Sequence, residues 1–190
     1  MQIRFQFRPE LAVQAAAFFL RKLAGRTDKI KLMKLMYLAD RDHFLHHGHP
    51  ITGDAQYALP HGPVPTCTLN LLSGTWDDPD CAGDYIGCES RSFTIVKDPG
   101  DSLLMPTHLA ILEEVFRVHG SKNTWKLREE THRLPEYQEC EVSGSSAAIP
   151  YEVILKHYGG ERGFRLGRPV ISPEIARHME CPFESPETDL

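Results

Sequence analysis

The segment 29–68 constrains the fold more than any other part of the chain. It reads KIKLMKLMYLADRDHFLHHGHPITGDAQYALPHGPVPTCT, an apolar stretch followed by Gly-His-Pro and then by a proline-rich turn. Apolar residues occur on nearly every side of a helix drawn over its first half, and such a helix is normally buried at the centre of a domain. We predict a helix with Thr27 or Asp28 as N-cap, a last residue near His47, and Gly48 as C-cap.

One charged residue, Asp40, falls on the most apolar side of this helix. A buried carboxylate must be hydrogen-bonded or paired, because its desolvation is otherwise costly. We expect its partners among backbone amides of the following Gly-Pro loop or the imidazoles of His43 and His47. At about 100° per residue, its neighbours on the wheel are Ile30, Met33, Met36, Tyr37, Ala39 and Phe44, whereas Lys31, Lys34, Arg41 and Asp42 lie opposite, where we expect them to reach water.

Asp40 and the nearby histidines admit three interpretations. In the structural one, which we favour, Asp40 anchors the turn His61–Pro65 to the helix. In the second, Asp40, His43 and His47 bind a metal, since two histidines four residues apart share one helix face. The glutamate of an HExxH hydrolase motif is absent, because residue 44 is Phe. In the third, Asp40 and a histidine act as general acid and base. In the favoured structural interpretation the histidines of the segment are caps and surface residues: His43, His46, His47, His49 and His61.

The sequence HGPVP at His61–Pro65 predicts a stiff turn. Its two prolines fix φ and remove hydrogen-bond donors, and Gly62 permits a conformation that other residues resist. We interpret it as a corner between a strand and a helix, or as a rigid platform for a partner; the two are compatible.

The rest of the chain predicts helices around a small antiparallel element. The fold class is mainly α with a small antiparallel β element (α+β), a compact single domain of about six helices. We expect a domain at 1–158 and a Gly/Pro-rich C-terminal extension at 159–190. Besides the helix above, helices are predicted from Pro9 to a stop at Gly25 and at Thr66–Leu72, Thr107–His119, Asn123–Arg133 and Ile149–Tyr158, with extended segments at Ile51–Leu59, Asp84–Glu89 and Ser92–Lys97.

Two side-chain predictions concern the helix Asn123–Arg133. Trp125 and Leu134 are expected in the core. Thr131 and His132, at the end of the helix, are expected to bond its free carbonyl groups.

Charge and cysteine usage exclude several classes of protein. A formal net charge of -5 disfavours a general nucleic-acid-binding surface. We find no run of about 18 apolar residues and no signal-like N-terminus, so we expect a cytoplasmic protein without membrane spans. The cysteines are scattered without a CxxC pair, which predicts reduced thiols and no zinc site built on them: Cys67, Cys81, Cys88, Cys140 and Cys181.

The segment KLMKLMYLADRDHFLHHGHPITGDAQYALPHGPVP resembles the signature of the Panacea domain, the SocA-like antitoxin family. A later Leu…Thr-His…Pro-aromatic element is similar too, with Tyr137 where Trp is common. The resemblance extends roughly from Pro9 to Tyr158. Leu59-Pro60-His61 departs from it, since the family often has an aromatic and a basic or polar residue there. The matching residues are Lys31-Leu32, Lys34-Leu35, Tyr37, Ala39-Asp40, Gly48, Pro50, Gly62–Pro65, Leu127, Thr131-His132 and Pro135.

The resemblance implies a non-enzymatic antitoxin of a toxin–antitoxin system. Such a protein would bind and neutralise a cognate protein toxin, or deliver it to a cytosolic protease as an adaptor; family members occur in prophage and mobile-element settings. It implies no catalytic residue, cofactor or metal, and it leaves the partner-binding residues unknown and a homodimer open. The signature positions carried over are Lys34, Tyr37, Asp40, Gly62, Pro63, Val64, Thr131 and His132.

Two rival functions follow from the residues themselves. The first is a metal-dependent hydrolase or transferase that uses Asp40, His43 and His47. The second is DNA binding, which the negative charge and the lack of a basic recognition helix disfavour.

Overall fold

The computed structural model describes residues 3–76 and 82–158; the predicted extension 159–190 lies outside these ranges. Within them the predicted class, mainly α with small antiparallel sheets, is confirmed. These two ranges contain seven helices: α1 Pro9–Lys22, α2 Lys29–His47, α3 Thr66–Leu72, α4 Pro106–His119, α5 Thr124–His132, α6 Pro135–Cys140 and α7 Tyr151–Tyr158. The strands are β1 Arg26–Asp28, β2 Gln56–Leu59, β3 Gly62–Pro65, β4 Ile86–Cys88, β5 Ser92–Ile95 and β6 Ala147–Ala148.

Helix α2 is the centre of the fold, as its composition predicts. Asp28 is its N-cap, with Oδ1 accepting the amide of Ile30 at 2.8 Å. Gly48, at a left-handed φ of 79°, ends it by donating its amide to the carbonyl of Phe44. Around it lie α1, α4, α5, α7 and strand β3. The core of the domain is therefore built on this helix.

The expectation that Lys34 and Arg41 reach water is wrong. Every residue of the stretch 32–41 is buried. The polar side of α2 is covered by α5, α6 and the β2–β3 hairpin, and both cations are hydrogen-bonded there. Apolar periodicity correctly indicates a central helix, but it does not show that later elements cover the polar side as well.

Two small antiparallel sheets flank the helices. One has the strand order β1-β5-β4, and its β4–β5 hairpin confirms the prediction for the 84–97 region. The other has the order β3-β2-β6, with Leu59 opposite Gly62 at the hairpin end. The predicted stiff turn is thus the second strand of a hairpin, and α3 begins directly after it.

Three local predictions need correction. The extended segment predicted at Ile51–Leu59 is a strand only at Gln56–Leu59. Before it, the carbonyl of Thr52 accepts the amide of Arg8 at 2.8 Å instead of pairing with a strand. Trp125 is not in the core: 69% of it is exposed, and α5 packs inward through Leu127 and Thr131. Helix α6 was missed, since Pro135 ends α5 and also starts the next helix at its first residue.

Within the described ranges, no helix combines the length and the apolar character that crossing a bilayer requires.

Candidate functional site

Asp40 holds the loop that follows α2. Its side chain is enclosed, with only 1% exposed. Oδ1 accepts the amide of Thr52 at 2.9 Å, Oδ2 accepts the Thr52 hydroxyl, and the Gln56 side-chain amide lies 3.4 Å from Oδ2. A backbone amide of the following loop is therefore a partner, as expected. The predicted anchoring of the turn His61–Pro65 by Asp40 is wrong.

Burial sets the protonation of Asp40 and of its neighbour Asp54. Desolvation raises the pKa of Asp40 to about 7, against the lowering effect of the Thr52 hydrogen bonds. Desolvation likewise raises the pKa of Asp54 to about 6. Asp54 accepts the amides of Cys67 at 2.8 Å and Thr68 at 2.6 Å. Both amides lie in the first turn of α3, where amides need an acceptor from outside the helix. Both carboxyls are enclosed, so their chemistry here is to hold backbone.

Lys34 performs the anchoring that was assigned to Asp40. Its Nζ donates to the carbonyl oxygen of Pro63 at 2.7 Å, and the side chain is fully buried. Burial lowers the pKa of Lys34 to about 7, and the nearby charge of Arg128 adds to the effect. The buried amino group of Lys34, bonded to a backbone carbonyl, ties β3 to the central helix.

Two further hydrogen bonds and one glycine fix the end of the β2–β3 hairpin. Tyr137 donates its hydroxyl to the carbonyl of Leu59 at 2.9 Å, and Arg128 donates to the carbonyl of Pro60 at 3.2 Å. Gly62 has φ +95°, and a Cβ there would lie 2.8 Å from both Lys34 Nζ and His132 Cδ2. Glycine is therefore required by its conformation and by the closeness of its neighbours.

A buried ion pair fastens α6 to α2. Arg41 Nε donates to Glu136 Oε1 at 2.6 Å, and the hydroxyl of Tyr37 donates to the same oxygen at 3.1 Å. Burial raises the pKa of the Tyr37 hydroxyl well above its usual value, with the Glu136 charge adding to it. The guanidinium of Arg41 also lies 4.1 Å from the ring centroid of Tyr158. Sequence reasoning missed this pair because it placed Arg41 in solvent.

The signature positions belong to several separate hydrogen-bond networks and do not converge on one site. Lys34, Gly62, Pro63 and His132 come together at the hairpin, whereas Tyr37 and Asp40 belong to separate networks. Val64 is buried in β3. Thr131 donates its hydroxyl to the carbonyl of Arg128 at 3.0 Å, as predicted for a residue at the end of a helix. The His132 ring lies 4.7 Å from that of Tyr137.

Comparison with known families decides the identity. The model of the family described as "Antitoxin SocA-like, Panacea domain" matches residues 32–138, more than half of the chain. The chain belongs to the SocA-like Panacea family. No curated protein and no solved structure gives a significant match. The matched region begins in α2 and ends in α6, so it contains the Lys34, Asp40 and Arg41 anchors and their partners.

The metal site considered from the sequence is not assembled in this Panacea domain. The Asp40 carboxylate is directed at Thr52 and Gln56, away from any imidazole bond. A different group of residues comes together: ring nitrogens of His43, His49 and His108 all lie within 4.8 Å of one another. Sequence reasoning missed His108 because it lies at the start of α4, far from the other histidines in the chain.

One surface of the Panacea domain combines exposed aromatic area with positive charge. Trp125 lies on α5 beside the hairpin end, and the guanidinium carbon of Arg128 is 5.6 Å from its ring centroid. Lys126 on the same helix and Pro60 and His61 of the hairpin are exposed too. We call Pro60, His61, Trp125, Lys126 and Arg128 the hairpin surface.

Proposed function

We propose that this protein is the antitoxin of a toxin–antitoxin system and that it neutralises a cognate protein toxin by binding it. The observation that carries the proposal is the match of the SocA-like antitoxin family over residues 32–138. Its toxin would be met in the cytoplasm, and no chemical step is required of the antitoxin.

The buried titratable groups support a binding protein over an enzyme. Catalytic acids and bases must reach a substrate. Here the groups with strongly shifted pKa values in the Asp40, Asp54 and Lys34 networks are enclosed and bonded to backbone. They fix loops in place, which is what a recognition surface needs.

We assign toxin binding to the hairpin surface. Tryptophan and arginine are enriched among the residues that dominate binding energy at interfaces. Trp125 is exposed and packs into no core, whereas Arg128 is positioned by its bond to Pro60. Because this surface carries Lys126 and Arg128, we expect an apolar pocket bordered by carboxylates on the toxin.

The test is rescue from toxicity. The protein encoded by the neighbouring gene is expressed alone and together with this chain, and growth and pull-down are measured. We expect rescue and a stable complex. Absence of both would refute the antitoxin function.

The surface assignment is tested with Trp125→Ala and a matched control. Val96→Ala alters an apolar residue that is 67% exposed beside the other sheet, close to the 69% of Trp125. We expect Trp125→Ala to weaken toxin binding by at least about tenfold while leaving thermal stability unchanged, because hot-spot truncations cost about 2 kcal/mol or more. Val96→Ala should bind like the wild type. Equal affinity of the two variants for the toxin would contradict the assignment of toxin binding to the hairpin surface. It would leave the antitoxin function unaffected.

The half-life of the toxin separates two routes of neutralisation. Direct inhibition leaves the toxin stable in the complex. Delivery to a cytosolic protease shortens its half-life when the antitoxin is expressed, and deletion of that protease restores it.

A further inference from the structure

Three histidines from separate segments meet at one end of the central helix. His43 lies in α2, His49 in the loop after it and His108 in the first turn of α4. The His43 ring centroid is 4.7 Å from that of His49 and 4.7 Å from that of His108. His43 and His108 are buried, and His49 is exposed. We call these three residues the histidine cluster.

The hydrogen bond of His43 leaves its other ring nitrogen as an acceptor. Its Nδ1 is 2.6 Å from the carbonyl oxygen of His49, which can only accept, so Nδ1 carries the proton. The other nitrogen, Nε2, is therefore an acceptor, and it is buried without a hydrogen-bond partner among the described residues. An unpartnered buried acceptor is rare and requires an explanation.

We propose that the histidine cluster binds a divalent transition-metal ion, with Zn²⁺ as the best match. Three neutral imidazole nitrogens suit zinc, and the absence of a carboxylate among these three ligands disfavours magnesium and calcium. The Nδ1 bond of His43 to a backbone carbonyl is the outer contact that metal-binding histidines normally make. The metal would occupy the space that Nε2 of His43 faces.

Binding of a metal requires a change of tautomer at His108. His108 Nδ1 accepts the amide of Met105 at 3.2 Å, which leaves its proton on Nε2. Binding through Nε2 moves that proton to Nδ1 and breaks this long hydrogen bond.

His49 borders a cavity, and a nearby positive charge limits the affinity. A cavity of about 260 Å³ beside His49 is lined by Phe5, Gln6, Arg8, Pro50 and Gly53. The remaining coordination position is open to water or to His47, whose ring centroid is 4.4 Å from that of His43. The positive charge of Arg8 acts on His108 and opposes a cation there. We therefore expect weaker binding than in a closed four-ligand structural site.

The ion would join α2 to α4 without taking part in a reaction. This inference goes beyond the proposed antitoxin function and does not depend on it, because a metal at this place stabilises the fold whether or not a toxin is bound.

The test uses the full chain without a polyhistidine tag, freed of metal by a chelator and titrated with ZnCl₂ by calorimetry at neutral pH. The variant is His49→Ala, which alters an exposed ligand and is expected to fold. The control is His46→Ala, an exposed histidine of the same helix end whose Nδ1 bonds to the carbonyl of Asp42 at 2.7 Å.

We expect one Zn²⁺ per chain and a rise of the thermal midpoint on addition of the metal. His49→Ala should weaken binding by at least about tenfold, and His46→Ala should leave it unchanged. With Co²⁺ in place of Zn²⁺, the wild type should give the visible band of a four-coordinate ion. Absence of binding, insensitivity to His49→Ala, or an equal loss in His46→Ala would each overturn the proposal.

Discussion

Replacement of Asp40 by asparagine should change how the stability of the domain depends on pH. Desolvation raises the folded pKa of Asp40 from 3.8 to about 7. The folded state therefore binds this proton more tightly than the unfolded state does. The contribution of this tighter proton binding to the free energy of unfolding is fully present below about pH 4. It is lost as the pH rises through 7. The side-chain amide of the Asp40→Asn variant has no such proton to bind.

The size of the effect follows from the difference between the unfolded and the folded pKa of Asp40. Each pKa unit corresponds to about 1.4 kcal/mol, and the difference spans roughly three units, so the limit is about 4 kcal/mol. The stability of the wild type relative to Asp40→Asn should rise by up to this amount as the pH falls from 7 to 4. His43 and His108, whose lowered pKa values act in the opposite direction, occur in both proteins and cancel in the difference.

Urea unfolding at a series of pH values measures this difference. Far-UV circular dichroism follows the helices, and fluorescence of Trp76, whose ring lies 5.3 Å from that of Phe7, follows the core. Thr52→Val provides a second check, since it removes a donor that favours the ionised form of Asp40. This variant should be more destabilised above pH 7 than below pH 4.

A difference between wild type and Asp40→Asn that stays constant from pH 4 to 7, or that falls as the pH falls, would refute the reasoning. It would mean that the hydrogen bonds from Thr52 outweigh the desolvation of the carboxylate.

Two further predictions concern the β2–β3 hairpin. Lys34→Met leaves the Pro63 carbonyl without its donor and should lower the free energy of unfolding by about 1–3 kcal/mol above pH 7. The folded pKa of Lys34 is lowered from 10.5 to about 7, so this loss of stability should shrink as the pH falls from 10.5 to 7. A loss that grows instead would contradict the anchoring role of Lys34. Gly62→Ala should cost about 1–3 kcal/mol in urea unfolding, from its φ of +95° and the contact with Lys34 Nζ, whereas Gly25→Ala, with φ +85° and open space, should cost less.

Much of the helical framework can be predicted from local signals. Asp28, Gly48 and Pro135 each mark a helix boundary for reasons that lie within a few residues of them. The burial of Asp40 also follows from its place on the apolar side of α2. The helix boundaries follow from the backbone preferences of single residues, and the burial of Asp40 follows from the spacing of apolar residues along one helix. Both can be read directly from the sequence.

The partners of the buried polar groups could not be predicted in the same way. Lys34 meets Pro63 across 29 residues, and Arg41 meets Glu136 across 95. A wheel shows which side of a helix is apolar, but it cannot show that a hairpin and a later helix cover the other side. The expectation that Trp125 lies in the core was wrong because α5 packs inward through Leu127 and Thr131, which leaves Trp125 exposed.

The buried polar anchors of α2 also have a consequence for the order of folding. Its anchors are completed at very different sequence separations: 12 residues for Asp40 with Thr52, 29 for Lys34 with Pro63 and 95 for Arg41 with Glu136. During synthesis the first two can close before the later helices exist. The guanidinium of Arg41 can pair at once with Asp42, but its buried bond to Glu136 forms only after residue 136 has left the ribosome. The central helix is therefore made well before its last buried partner, and its packing is completed only once α6 has been synthesised.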